Sequence, residues 1–142
     1  MLDENEVAAD LIAPGTSGSF AMEVDNLSEV DAEYTIELAE EQLNMPGTPA
    51  YSAPIEYSLT GLDGSWTGDI TTLNADTTWM NGVDLDMLSG TKTVTVYWRW
   101  VYSTDAAADA IDTAIGIAAQ TDTDADDPAV KVTATITVTQ LD

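Results

Sequence analysis

The sequence predicts an all-β, jelly-roll-like antiparallel β-sandwich with a short helical insertion. Apolar and polar residues alternate with period two in several short segments, turn-forming Pro-Gly, Asp-Gly and Asn-Gly pairs fall between them, and only one long stretch is alanine-rich. At 142 residues the chain is long enough for one domain with a core that needs no covalent staple.

The opening residues carry a modest stripe, with Val7, Ala9 and Leu11 alternating against Ala8, Asp10 and Ile12, and Leu2 beyond an acidic patch. This divides the chain into an N-terminal segment, residues 1–11, and a sandwich domain, residues 12–142. Phe20, Met22 and Val24 then face one way, as do Tyr34, Ile36 and Leu38, and later Ile55, Tyr57 and Leu59; each set reads as a half-buried strand. AEEQL, residues 39–43, reads as a helical turn or two on propensity.

In TVTVYWRWVYST, residues 93–104, Val94, Val96, Trp98, Trp100 and Tyr102 share one face, broad and apolar enough for a core. Tyr97 and Arg99 lie on the other. Residues 105–120, DAAADAIDTAIGIAAQ, predict the helical insertion, with Ile111 and Ile115 four apart, acids near the start and Gly116 weakening it. The last run, VKVTATITVT, has Val130, Val132, Ala134, Ile136 and Val138 on one face and Lys131 with four threonines on the other.

Composition excludes much chemistry. Without cysteine there are no disulfides or thiolate ligands; without histidine there is no Ser-His-Asp triad and none of the usual zinc ligands. The chain is expected not to be an enzyme. Twenty-six acidic side chains against three basic ones give a formal charge of −23, which repels nucleic acid and anionic membranes and makes self-association sensitive to salt and pH. No apolar run is long enough to span a bilayer. MLDENEVAADL lacks the regions of a secretory signal, so the chain is read as either cytosolic or already processed.

Asp122, Asp124, Asp126 and Asp127 form an acidic loop that is a weak Ca²⁺ candidate, but it lacks the glycine and closing glutamate of an EF-hand. No cofactor is expected. Among so many acids, no carboxylate pair stands out for glycoside hydrolysis. Trp66, Trp79, Tyr97 and Tyr51 are candidates for a carbohydrate-stacking platform, which gives an alternative function, a cell-surface carbohydrate-binding module. Arg99, flanked by aromatics where cations are scarce, is a candidate intersubunit contact together with Tyr97.

The order IAPGTSGSFAMEVDNLSEVDAEYTIEL, PIEYSLTG, then YWRWVY with Asp109, Asp112-Thr113 and Gly116 behind it, then VKVTATITVTQ, resembles the TasA/camelysin family of exported biofilm-matrix proteins. The resemblance spans about residues 12–140. It implies a jelly-roll-like sandwich and assembly into extracellular matrix fibres, in which the N-terminal segment of one subunit, here Leu2, Val7, Ala9 and Leu11, adds as a strand to the next. The partner it implies is another copy of the chain, with other matrix proteins or polysaccharide as further candidates. The proteolytic label attached to camelysin needs a motif such as H-E-x-x-H, which a chain without histidine cannot supply.

Overall fold

A computed structural model describes residues 15–46, 51–88, 90–101, 110–111, 113 and 129–141. Among these residues six strands form two sheets of three: β1 (Ser17–Asn26), β5 (Gly90–Trp100) and β3 (Ile55–Ser58) in one, and β4 (Val83–Leu85), β2 (Ala32–Leu43) and β6 (Ala129–Gln140) in the other. The orders are β1-β5-β3 and β4-β2-β6, with every neighbouring pair antiparallel. Successive strands always belong to opposite sheets, so every connection crosses the sandwich. The expected all-β sandwich is therefore observed. Of the predicted helical insertion, Ala110, Ile111 and Thr113 are helical, and the rest of residues 105–120 lies outside the described residues, as does Tyr102.

The predicted core faces meet between the sheets. Met22 and Val24 of β1, Tyr34, Ile36 and Leu38 of β2, Ile55 and Tyr57 of β3, and Val94, Val96, Trp98 and Trp100 of β5 are all buried. Trp98 needs a gap in the neighbouring strand. Gly18 lies opposite it, and a Cβ there would stand 2.8 Å from the indole ring. Trp100 carries the one buried side-chain polar atom without a hydrogen-bond partner among the described residues, its indole N–H.

Two elements escaped the periodicity. Ile70–Ala75 is a 3-10 helix capped by Asp69, which packs Ile70 and Leu73 into the core, and β4 contributes Val83 and Leu85 from only three residues. A third feature is a correction: residues 39–43 are strand, not helix. β2 continues to Leu43 because each of its residues from Ala39 on pairs with β6, Ala39 with Thr133 through Leu43 with Ala129. Side chains reinforce this pairing. Glu40 accepts a hydrogen bond from the Tyr57 hydroxyl, and Gln42 both donates to the Ala53 carbonyl (3.1 Å) and accepts from the Ala53 N–H (2.7 Å). These tertiary bonds override the helical propensity of Ala-Glu-Glu-Gln-Leu.

The Tyr57–Glu40 contact makes stability depend on alkaline pH. Burial, then the hydrogen bond to Glu40 and its charge, push the Tyr57 hydroxyl far above its ordinary value; Tyr34 is also raised, by burial and by Asp76. An unfolded chain sheds these protons near pH 10 while the fold retains them. Stability is therefore full below about pH 10 and falls as pH rises beyond it, by at most about 1.4 kcal/mol per pH unit for each group. Urea unfolding at pH 8, 10 and 11 should show this decline, and Tyr57→Phe should flatten it without abolishing it, since Tyr34 remains.

Candidate functional site

Among the described residues β6 is the edge of its sheet, with no strand on its outer side. Ile36 donates its N–H to the Met80 carbonyl (2.6 Å), and Leu38 exchanges hydrogen bonds with the Asn74 side chain (2.8 and 3.1 Å), so the main chain at these residues points away from β6. In an antiparallel ladder the alternate residues Thr35, Glu37 and Ala39 therefore bond to Thr137, Thr135 and Thr133. The N–H and C=O groups of Ala134, Ile136 and Val138 are thereby turned outward, along an edge that no described strand pairs with.

The side chains of the same three residues are turned inward. Val138, Ile136 and Ala134 stand opposite Tyr34, Ile36 and Leu38, on the face that forms the core. Yet Tyr34 and Ile36 are fully buried while Ile136 is 39% and Val138 49% exposed. Val132, which pairs with the Glu40 that accepts from Tyr57, is buried, and the apolar row beyond it is not. The alternation of VKVTATITVT thus named the right face, but the expected burial holds only at its start.

An open strand edge whose inward row is apolar is a seat for one more strand. Main-chain groups supply the hydrogen bonds, and alternate side chains of the added strand enter the gap. Sequence reasoning did not single out Ile136 and Val138 as a site. Period two reports which residues share a face, not whether the opposite sheet reaches over them.

The outer face of β5 holds a second feature, a shallow cleft of about 450 Å³ lined by Ser17 and Ser19, Thr60 and Gly61, Trp66, Tyr97 and Arg99. Arg99 is committed within the chain. Its Nε and Nη2 each lie 3.0 Å from Glu56 Oε1, and its guanidinium carbon stands 4.2 Å from the centre of the Trp66 ring. A Cβ at Gly61, where φ is +70°, would stand 3.3 Å from Tyr97, so the Tyr97 ring lies against this glycine. Trp66 and Tyr97 of the predicted stacking platform therefore do come together, each in contact with another group of its own chain. Trp79, in the turn before β4, and Tyr51, ahead of β3, do not line the cleft.

Leu2, Val7, Ala9 and Leu11 lie outside the described residues, as do Asp122, Asp124, Asp126 and Asp127. Among the described residues no three acidic side chains are placed to hold a metal ion, and no helix is long and apolar enough to cross a membrane. No protein-family model matches the chain, and neither a curated protein nor a solved structure does.

Proposed function

We propose that the protein is a secreted structural subunit that self-assembles head to tail into extracellular matrix filaments, residues 1–11 of one copy adding as a strand to the β6 edge of the next. The observation that carries this reading is the open edge: outward main-chain groups and inward, solvent-exposed apolar side chains occur on the same residues, Ala134, Ile136 and Val138. The resemblance of the sequence to exported fibre-forming proteins points the same way.

An added strand satisfies the outward main-chain groups of three residues at about 1 kcal/mol per hydrogen bond. Covering Ile136 and Val138 contributes a further share of the roughly 1.5–3 kcal/mol that full burial of each side chain is worth. Val7, Ala9 and Leu11 are the alternate apolar residues that fill the gap. The charge of −23 opposes the approach of copies, so assembly strengthens as salt shortens the Debye length, about 10 Å at 0.1 M and about 3 Å at 1 M.

The test is deletion of residues 2–11. Negative-stain electron microscopy across ionic strengths should show filaments of the parent chain and none of the deleted chain, whose unfolding midpoint stays close to the parent's. A synthetic peptide of residues 1–12 should bind the deleted chain. Filaments in unchanged yield after the deletion overturn the reading.

A further inference from the structure

At the end of the sandwich where β1 stops and β2 starts, five large apolar side chains are exposed: Leu27 (77%), Val30, Met87, Leu88 (66%) and Leu141. They come from the β1–β2 connection, the β4–β5 connection and the residue after β6, which hydrogen bonds tie into one surface. Leu88 donates its N–H to the Ser28 carbonyl (3.2 Å), Met87 to Asp31 Oδ1 (2.9 Å), and Leu141 to the Asp31 carbonyl (2.9 Å). Beneath them the buried Asn26 side chain bridges the Val30, Leu85 and Asp86 carbonyls. These apolar groups are held in place before anything binds them.

Leu88 adds an independent sign. Its φ is +52°, in the left-handed region where a side-chain-bearing residue is disfavoured by roughly 1–2 kcal/mol and glycine or asparagine is usual. A leucine held there with two thirds of its surface in solvent gains nothing from its own core. Strain of this kind is retained where another interaction rewards it.

We infer that this apolar end is a docking surface for the opposite end of a second copy, so that subunits stack end to end as well as exchanging strands. The inference rests on the filament reading and names its second contact. Two features select a second copy. The patch runs into the apolar row of β6, because Gln140, next to Leu141, pairs with Ala32 two positions beyond the Val138–Tyr34 pair. Lys131, opposite Glu41 near the start of β6, marks the other end of the sandwich. Finally, Gly15 bonds to the Trp100 carbonyl at that opposite end, so the chain preceding it starts there. A copy stacked end-on brings its residues 1–14, with a reach of about 46 Å when extended, to the end of β6 that stands open.

The absence of cysteine makes cross-linking a clean test. Single-cysteine chains Leu88→Cys and Lys131→Cys are mixed in 1 M salt under mild oxidation, with Leu62→Cys, exposed on the loop after β3, as the collision control. We expect Leu88→Cys to couple with Lys131→Cys at least tenfold more than with itself or with Leu62→Cys. Predominant self-coupling of Leu88→Cys, or coupling no greater than the control, overturns the inference. Leu88→Gly should hold or raise the Tm, because the left-handed strain is relieved, while filament yield falls about tenfold; an unchanged yield overturns it. Leu88-dependent pelleting with phosphatidylcholine vesicles would assign the surface to a lipid bilayer and also overturn it. The same cross-link, made in chains lacking residues 2–11, separates the two contacts. Coupling retained with filaments lost supports both. Filaments retained there remove the strand-exchange reading alone, and coupling lost there while filaments require residues 2–11 removes the end-on contact alone.

Discussion

The double substitution Ile136→Lys and Val138→Lys should abolish the proposed assembly and leave the subunit folded. Both side chains are already 39% and 49% exposed, so exchanging them for lysine removes little packing inside the subunit, and the Tm should move by no more than a few degrees. In the proposed filament the same positions face an added strand. An inward-pointing charge on an edge strand blocks pairing with another chain, a device natural sheets use against unwanted association. Losing the burial of the exposed part of two side chains, somewhat under half of roughly 1.5–3 kcal/mol each, weakens the contact by about 10–10²-fold. Two added lysines also reduce the net charge from −23 to −21, so lost assembly cannot be ascribed to greater repulsion between copies. The matching substitution on the neighbouring strand, Ile36→Lys, places a charge in the closed part of the same face and should unfold the protein. Sedimentation velocity and thermal unfolding of the three chains check this together. A collapse in Tm for the β6 pair would mean that the row is closed within its own subunit, and filaments in normal yield would place the added strand elsewhere.

How far the sequence foretold this arrangement differs from element to element. β1, β2 and the buried face of β5 were legible because half-burial imposes period two, and Val94, Val96, Trp98 and Trp100 lie where the alternation put them. Residues 39–43 were not, because their propensity is helical and the bonds that hold them extended run to Tyr57 and Ala53, far along the chain. β4 has three residues, too few for a period, and its Val83 and Leu85 are placed by pairing with Tyr34 and Ala32. Asn81-Gly82 and Asp63-Gly64 marked turns correctly, with Gly82 and Gly64 both at positive φ, but a turn signal does not say whether the chain returns to its own sheet or crosses to the other. The same blindness hid the exposed row of β6: nothing in VKVTATITVT tells which of its inward side chains the rest of the fold will cover. Arg99 was legible as a scarce cation beside aromatics; its partners Glu56 and Trp66 needed the register to be found.

Asn26 is where stability and the apolar end are joined, and its loss should be the costliest polar substitution in the chain. Its side chain is buried, its Nδ2 donates to the carbonyls of Val30 (2.9 Å), Leu85 (3.0 Å) and Asp86 (3.3 Å), and its Oδ1 accepts from Ser28 N–H (3.1 Å) and hydroxyl (2.7 Å). Among the described residues no other side chain ties both loops of that end to both sheets. Asn26→Ala leaves these groups without their partner, and at roughly 1–3 kcal/mol for each group that water cannot reach, the expected loss is about 2–4 kcal/mol in urea unfolding. Asn26→Asp is the more discriminating variant. Its carboxylate keeps the acceptor for Ser28 but turns negative oxygen toward three carbonyls, so the folded state holds its proton above the ordinary aspartate value near 3.9. The sign follows: the folded form binds more protons than the unfolded one, so the variant regains stability as pH falls toward 4 and loses it as pH rises to 7. Measured against the parent at each pH, the deficit of Asn26→Asp should therefore shrink on acidification while that of Asn26→Ala stays nearly constant. Equal deficits at pH 4 and 7 would show that the three carbonyls do not confront this side chain. Either substitution should also reduce assembly by loosening the Leu27 and Leu88 loops, whereas Leu88→Gly reduces assembly with the fold intact; the contrast separates the surface from the framework that holds it.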